Sequence, residues 1–486
     1  LRVESLVERA EERMSHEPSD PHGANFERPP TTEGHNISYQ PTAGLTYDPN
    51  EAKYWDAAAL KGEIERAFEI CHGCRMCFKY CDSFPSLFSL IDDRHGGDVR
   101  KLSPGEIDGV VDQCFQCKLC EVQCPYTPRD KHEFQLDFPK LLHRYQAVRK
   151  KREGFSFQDR LLGDPDTAGK MARLSLGLVN VLNRVSLHRL FFEKVAGVHR
   201  DKDLPVFASE TFSSWAKKAG KSTEPKGEVA LFPTCYVENN EPDIGKDTLF
   251  VLEKSEVAVD CPKGQVCCGM PRWERGDLEG VRAQAKKNLD ALAPYVERGQ
   301  KVLAINPTCS MMLRREYPEL VAPEDKARAE KLAELVMDPS EFLWSIRNEP
   351  RFNTQFKSTP GAKVAYHAPC HLRAQGKGFK GRDLMRKIPG VSPQTVMECC
   401  GHDGTYAMRT EGFEPSIRIG QRAFDGMKEA DGAEVWATDC PLAATQFAQH
   451  AGRRPIHPMS LLARAYREDG FPTKLLPPPE SDGEKV

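Results

Sequence analysis

No run of 18 apolar residues occurs anywhere in these 486 residues, which excludes an ordinary membrane-spanning helix. Nucleotide fingerprints are missing as well: no G-x-G-x-x-G follows a strand-like run, and there is no P-loop. No bound flavin or nucleotide is therefore expected in this chain. No nucleophile–base set of the Ser–His–Asp kind stands out. Excess charge of one sign is lacking too. The net charge is −3 and the isoelectric point near 6.6, so no nucleic-acid partner is expected. The opening LRVESLVERAEERM is charged and has no apolar core of the kind a secretory leader needs. A mean hydropathy of −0.55 with 29% charged residues predicts a soluble protein.

Cysteine, by contrast, is plentiful. Seventeen cysteines without an export signal favour a reducing cytoplasm, where thiolates serve metals rather than disulfides. Eight of them form two copies of one spacing. Cys71, Cys74, Cys77 and Cys81 read C-x2-C-x2-C-x3-C, and so do Cys114, Cys117, Cys120 and Cys124. This is the ligand pattern of a two-cluster [4Fe–4S] ferredoxin, in which three cysteines wrap one cubane and the fourth reaches across to the other. One cluster would take Cys71, Cys74, Cys77 and Cys124, the other Cys114, Cys117, Cys120 and Cys81. Proline follows directly at Pro125 but is displaced to Pro85 after Cys81. Structural zinc is the alternative, but it takes two short pairs per site rather than quartets of linked triplets. The stretch from Asp82 to Gln113 between the quartets exceeds a minimal ferredoxin connection. A ferredoxin-type core in a mainly helical domain is expected, with a lead-in helix over Tyr54–Ile70 and an exit helix over Phe134–Lys151.

A second cysteine system is duplicated. GEVALFPTC ends at Cys235 and AKVAYHAPC at Cys370; a Cys-Cys-Gly follows each, at Cys267–Gly269 and Cys399–Gly401. A further strand-like run then ends in Cys309 or Cys440. Cys235 to Cys370, Cys267 to Cys399 and Cys309 to Cys440 are nearly equal offsets along the chain, which marks an internal repeat. In the first copy Glu228–Phe232, Val257–Asp260 and Lys301–Ile305 read as strands, with helices over Leu278–Glu297 and Glu324–Met337. In the second, Lys363–Tyr366, Gln394–Met397, Glu434–Ala437 and Pro455–His457 read as strands, with helices over Pro415–Glu429 and Pro441–His450. Apolar strands alternating with helices imply parallel sheets covered on both faces, with ligands beyond the carboxyl ends of the strands. Four cysteines converge there in each copy, and the glycine after each pair lets the backbone approach a metal closely.

With CCGHDGTYAM (Cys399–Met408) and AYHAPCH (Ala365–His371), the chain resembles the Cys-Cys-Gly (CCG) family of heterodisulfide reductase-related iron–sulfur oxidoreductase subunits. Two ferredoxin motifs followed by two CCG modules, over about residues 60 to 470, most resemble its anaerobic glycerol-3-phosphate dehydrogenase C and glycolate oxidase iron–sulfur branches. The resemblance implies electron transfer from a flavoprotein dehydrogenase through two [4Fe–4S] clusters to a CCG site and on to quinone. It also implies one or two further clusters, held by Cys235, Cys267, Cys268 and Cys309 and by Cys370, Cys399, Cys400 and Cys440. The family pattern ends each module in C-x2-C, whereas here Met312 and Ala443 take the last position. Four thiolates still suit an ordinary cluster, but the loss counts against disulfide reduction. Zinc on four thiolates, or inert buried cysteines, are the other readings of these modules. Two other functions fit the same pattern: electron donation to a small redox protein such as a rubrerythrin-like di-iron peroxidase, and thiol–disulfide reduction.

His367, His371 and His402 flank the second module's cysteines, with Asp403 beside His402; His402 and His367 are the candidates for proton supply or for tuning a cluster through hydrogen bonds, and packing at strand ends is the plain reading. Ala172–His199 carries an apolar helical face, expected to pack on a neighbouring domain, with a peripheral seat on the inner face of a membrane as the alternative. The fold expected is α+β: a helical two-[4Fe–4S] ferredoxin-type domain followed by a duplicated α/β (CCG) domain with parallel sheets. Its parts are an N-terminal arm (1–50), the ferredoxin-type domain (51–150), a helical linker (151–225), a first module (226–345), a second (346–470) and a tail (471–486).

Overall fold

A computed structural model describes residues 37–430 and 432–471. Residues 1–36 of the expected arm and the tail beyond position 471 lie outside the described residues. The rest of the arm packs on the helical domain through two buried arginines. The Arg66 guanidinium donates to the Tyr39 carbonyl at 2.9 Å, and Arg144 donates to the Gly44 and Thr46 carbonyls at 2.9 and 3.3 Å.

The lead-in helix runs over Ala57–Cys74, a few residues later than its apolar pattern suggested. Asp56 caps it by accepting from the Ala58 and Ala59 amides. The exit helix, Phe138–Glu153, is likewise shifted to start behind the capping carboxylate of Asp137 and to end at Gly154. Between them Phe68, Phe84, Leu87, Ile91, Val110, Leu141 and Leu142 form one apolar core, with Phe84 stacked on Phe138 at 4.6 Å.

Two parallel sheets follow. In the first, β1 (Val229–Phe232), β2 (Val259–Asp260), β3 (Lys301–Ala304) and β4 (Val336–Met337) lie in the order β2-β1-β3-β4; in the second, β5 (Lys363–His367), β6 (Ser392–Val396) and β7 (Val435–Thr438) lie in the order β6-β5-β7. Every residue of β1 and of β7 is buried, as a strand covered on both faces requires. The fold is thus α+β with parallel sheets, and the sheet order shows the repeat: β6-β5-β7 matches β2-β1-β3 in connectivity. Two expectations fail at the edges. Pro455–His457 is not a strand. Ile456 makes a single parallel bridge to Ala437, because Pro455 and Pro458 on either side supply no amide hydrogen to extend it. In the first module the helix expected over Glu324–Met337 spans Lys326–Leu335, and β-branched Val336 pairs with Val302 to open β4.

The linker differs most. Its apolar run folds as three short helices, Pro165–Leu174, Leu178–Leu182 and Ser186–Ala196, broken at Gly177, which has φ +88°. The expected packing of this face on a neighbouring domain is not found. Leu174, Leu176, Leu187 and Phe191 are 83, 95, 77 and 64% exposed. The linker is anchored instead by Asp159, whose carboxylate meets Lys150 at 3.0 Å, Arg275 of the first module at 3.2 Å and Arg409 of the second at 3.2 Å. Burial pushes Asp159 up, but Arg275, Lys150 and Arg409 outweigh it and hold the carboxyl well below its usual range.

Candidate metal centre

Cys71 and Cys74 lie in the last turn of the Ala57–Cys74 helix and Cys120 in the short Leu119–Gln123 helix, while the other five cysteines of the helical domain lie on the turns and loops beside them. Arg75, Gln116 and Lys118, the residues interleaved with the cysteines, take left-handed φ values of 54, 59 and 61°, which turn the chain between successive thiols. The thiols that act on Cys71 through charge are Cys77, Cys124 and Cys74. Cys81, Cys114, Cys117 and Cys120 line one internal cavity, closed by Tyr80, Phe84, Phe115 and Phe138. The fourth cysteine of each motif therefore lies among the first three of the other. Cys120 also lies within electrostatic reach of Cys77, so the two sets adjoin. Donors point at the sulfurs: the Tyr126 amide lies 3.4 Å from Cys124 Sγ and the Gln116 side-chain nitrogen 3.6 Å from Cys114 Sγ.

Each module gathers its four cysteines at the carboxyl ends of its strands. In the first, Cys267 lies against Cys235 and Cys268, and Cys268 against Cys309. In the second, Cys370 meets Cys399, while Cys400 lies beside Cys399 and Cys440. The Gly401 amide donates to Cys399 Sγ at 3.3 Å and the Ala443 amide to Cys440 Sγ at 3.5 Å. Met312 and Ala443, which stand where a fifth cysteine is absent, are both buried. A cavity of about 250 Å³ opens beside Cys235, lined by Asp166, Lys170, Arg173, Lys263 and Glu238.

These donor sets suit iron–sulfur clusters. All seventeen cysteines are free thiols. Burial first, then the neighbouring thiols, pushes Cys77 and Cys114 up to about 12, so such groups become thiolates where a metal takes the proton's place. Among the described residues no three His, Cys, Asp or Glu side chains close round a single ion; a cubane instead takes its thiolates at the outer corners of a cage.

The sets also touch one another across domains. Cys117 of the helical domain packs with Cys370 and Cys399 of the second module, beside Tyr80 and Phe115. Cys440 and Cys309 bring the two modules within electrostatic reach. His371 ties all three parts together: its ring contacts the Gln116 carbonyl at 3.1 Å, Thr308 Oγ1 at 2.9 Å and the Asp403 carboxylate at 3.3 Å. These partners belong to three separate stretches of the chain, so spacing alone gave no sign of that role. Nearby, Lys118 and Glu316 form a buried ion pair at 2.8 Å, with the ammonium 5.1 Å from the Trp273 ring centroid.

Comparison with known proteins agrees with this arrangement. The family model described as "Cysteine-rich domain" (CCG) matches residues 229–314 and again 364–448. The C subunit of the anaerobic glycerol-3-phosphate dehydrogenase of Escherichia coli K12 is 30% identical over 314 residues, which is 64% of this chain and 77% of that protein. The chain belongs to the CCG family of iron–sulfur oxidoreductase subunits. Lactate utilization protein A of Bacillus velezensis is 29% identical over 187 residues, 37% of this chain and 75% of that protein. The B subunit of the fumarate reductase (CoM/CoB) of Methanothermobacter marburgensis is 31% identical over 184 residues, 37% of this chain and 34% of that protein.

Within the CCG modules the two candidate histidines differ. Both nitrogens of His367 are engaged, one with Thr438 Oγ1 and one with the Glu398 carbonyl, each at 3.1 Å, and burial holds the ring neutral, down to about 4. His402 is also buried, but neither of its ring nitrogens has a partner among the described residues. No helix among the described residues is long and apolar enough to cross a membrane.

Proposed function

We propose that this chain is the electron-relay subunit of an oxidoreductase complex, taking electrons from a flavoprotein dehydrogenase and delivering them to quinone from its CCG half. In this reading Cys71, Cys74, Cys77 and Cys124 hold one [4Fe–4S] cluster, Cys81, Cys114, Cys117 and Cys120 a second, and each CCG quartet one more. Such clusters supply one-electron chemistry at potentials set by charge, hydrogen bonds to sulfur and exposure. The chain's own residues keep the sites dry, aim amides at the sulfurs and hold the quartets in contact. The observation that carries the reading is the buried contact of Cys117 with Cys370 and Cys399, which joins the helical domain to the second module. The remaining links are Cys120 to Cys77 on one side and Cys440 to Cys309 on the other. His402, whose ring nitrogens have no partner among the described residues and which burial holds neutral, is the candidate to tune the second module's cluster through a hydrogen bond; His367 orients the ends of β5 and β7.

Iron and acid-labile sulfide per chain, with EPR of the reduced protein, test this. Four loaded quartets give about sixteen irons and two give about eight. Iron-free or zinc-loaded protein from an anaerobic preparation sinks the reading.

The exposed linker supports a peripheral seat on an anionic bilayer. Met171, Leu174, Leu176, Leu178, Val181 and Leu187 are all more than half exposed. From Lys170 to Val198 the only acid is Glu193, itself paired with Arg200 at 2.6 Å, whereas Lys170, Arg184 and Lys194 are exposed. Apolar side chains flanked by free cations are what an interfacial helix presents to acidic headgroups. The Pro165–Leu174 helix also lends Lys170 and Arg173 to the cavity at Cys235, which sets that cavity beside the apolar face. The protein is expected to co-sediment with phosphatidylglycerol vesicles at low salt. The triple variant Leu174→Asp/Leu176→Asp/Leu187→Asp is expected to lose at least about 100-fold in partitioning, since each buried leucine contributes about 1.5–3 kcal/mol. Equal binding by wild type and variant, at unchanged circular dichroism, removes the seat from this face.

A further inference from the structure

Lys202 is 2% exposed, yet among the described residues no carboxylate forms an ion pair with it; its side-chain partner is the neutral amide oxygen of Gln446. Gln446 lies in the Pro441–Ala451 helix that Cys440 caps, and its side-chain nitrogen donates to Ser416 Oγ at 3.3 Å, in the helix packed against Cys400 and Gly401. The negative groups that act on Lys202 are Asp203, its neighbour in the chain, and then Cys400 of the second quartet. Arg189 adds a second buried cation, spent on the carbonyls of His199, Arg200 and Lys202. Asp403, the carboxyl facing the same thiols, is turned to His371. His402 and His450 complete the surroundings, and among the described residues His450 Nε2 also lacks a partner. At the first quartet the group in place is a carboxylate instead: Asp166 accepts from the Cys267 amide at 2.7 Å.

A buried ammonium without an ion-pair partner is costly unless a counter-charge stands nearby. We propose that Lys202 is the built-in counter-charge of an anionic group held by Cys370, Cys399, Cys400 and Cys440, and that it raises that group's reduction potential. The inference rests on the reading of this quartet as a cluster site. Thiolate ligands make such a group negative, and an added electron makes it more so. A fixed positive charge in a dry site favours the reduced form, because screening there is weak. Lys202 is thus a positioning residue that acts by charge; the linker delivers it to a module that begins only after the whole of the first module has intervened.

Redox titration of the full-length, iron-loaded protein, followed by EPR, tests the proposal with three variants. Lys202→Met removes the charge. Gln446→Glu sets a carboxylate against it. Lys202→Arg keeps it. The expected result is a lower midpoint for one signal in the first two, with the other signals unmoved and the arginine variant close to wild type. Unchanged midpoints in Lys202→Met and Gln446→Glu at wild-type iron content overturn the proposal, as does a fall in Lys202→Arg equal to that in Lys202→Met. If the first two lose about four irons per chain while Lys202→Arg keeps them, the ammonium is needed to hold the group at all, and the counter-charge stands. Loss in all three overturns it. A wild-type protein with about eight irons, all in the helical domain, refutes the cluster reading of the second module itself, which is a separate failure.

Discussion

Gly401→Ala is expected to unfold the second CCG module locally and to empty its cysteine quartet, whereas Gly269→Ala at the matching place in the first module is tolerated. Both glycines hold left-handed φ, +75° and +93°, which costs an L-residue about 1–2 kcal/mol. The difference lies in what surrounds them. A Cβ on Gly401 would run into the backbone carbonyl of Ser416 and lie 3.1 Å from the Gly420 nitrogen, both in the Phe413–Glu429 helix. A Cβ on Gly269 would meet the side chains of Gln284 and Val281 at 3.2 Å, with backbone no nearer than the Val281 Cα at 3.6 Å, an ordinary contact. Backbone cannot step aside as a side-chain tip can, so overpacking adds about 1–3 kcal/mol at Gly401. Urea denaturation is expected to show a loss of about 2–5 kcal/mol for Gly401→Ala and about 1–2 kcal/mol for Gly269→Ala. Equal losses refute the account. The glycine after each cysteine pair was expected to let the backbone approach a metal; at Gly401 the space is taken by a helix crossing directly over the turn.

Lys118→Met is expected to cost about 3–5 kcal/mol, because it strands Glu316 as an unpaired buried carboxylate. Lys118 and Glu316 are 1 and 3% exposed, and their contact pins the loop between Cys117 and Cys120 to the first module. Adding Glu316→Leu to that variant is expected to recover most of the loss, since an apolar pair of similar volume replaces two desolvated charges. No recovery in the double variant would show that the cost lies in packing around Trp273 and not in the stranded charge. The pair also has a pH signature. Burial raises Glu316, but Lys118, Lys140 and Arg315 overcome it and bring the carboxyl from 4.5 down to about 2. A depressed carboxylate stabilises above its unfolded value, and that stabilisation fades as the pH falls from about 4.5 towards 2. Wild type is expected to show this loss in acid titration of its denaturation midpoint, and the double variant to lack the Glu316 share of it.

Much of the architecture was legible because it is written locally. Strands such as Val229–Phe232 and Val435–Thr438 are unbroken apolar runs, and the helix over Leu278–Glu297 has boundaries that pattern alone located to the residue. What misled was context. Ile456 lies in a strand-like run, but two prolines deny it a ladder. The linker's apolar face reads like any packed helix, and only its surroundings in the folded chain leave Leu176 and Leu187 bare.

By itself the sequence determined the duplicated parallel modules, the cysteine spacing and the membership of the CCG family, since each depends on periodicity or on residues a few positions apart. Tertiary structure alone decided that Cys117 meets Cys399, that His371 joins three segments and that Lys202 is buried against Gln446 of the helix that Cys440 caps. Those contacts arise where separately folded surfaces dock. Docking depends on shape and charge contributed by stretches far apart in the chain, which no local pattern encodes.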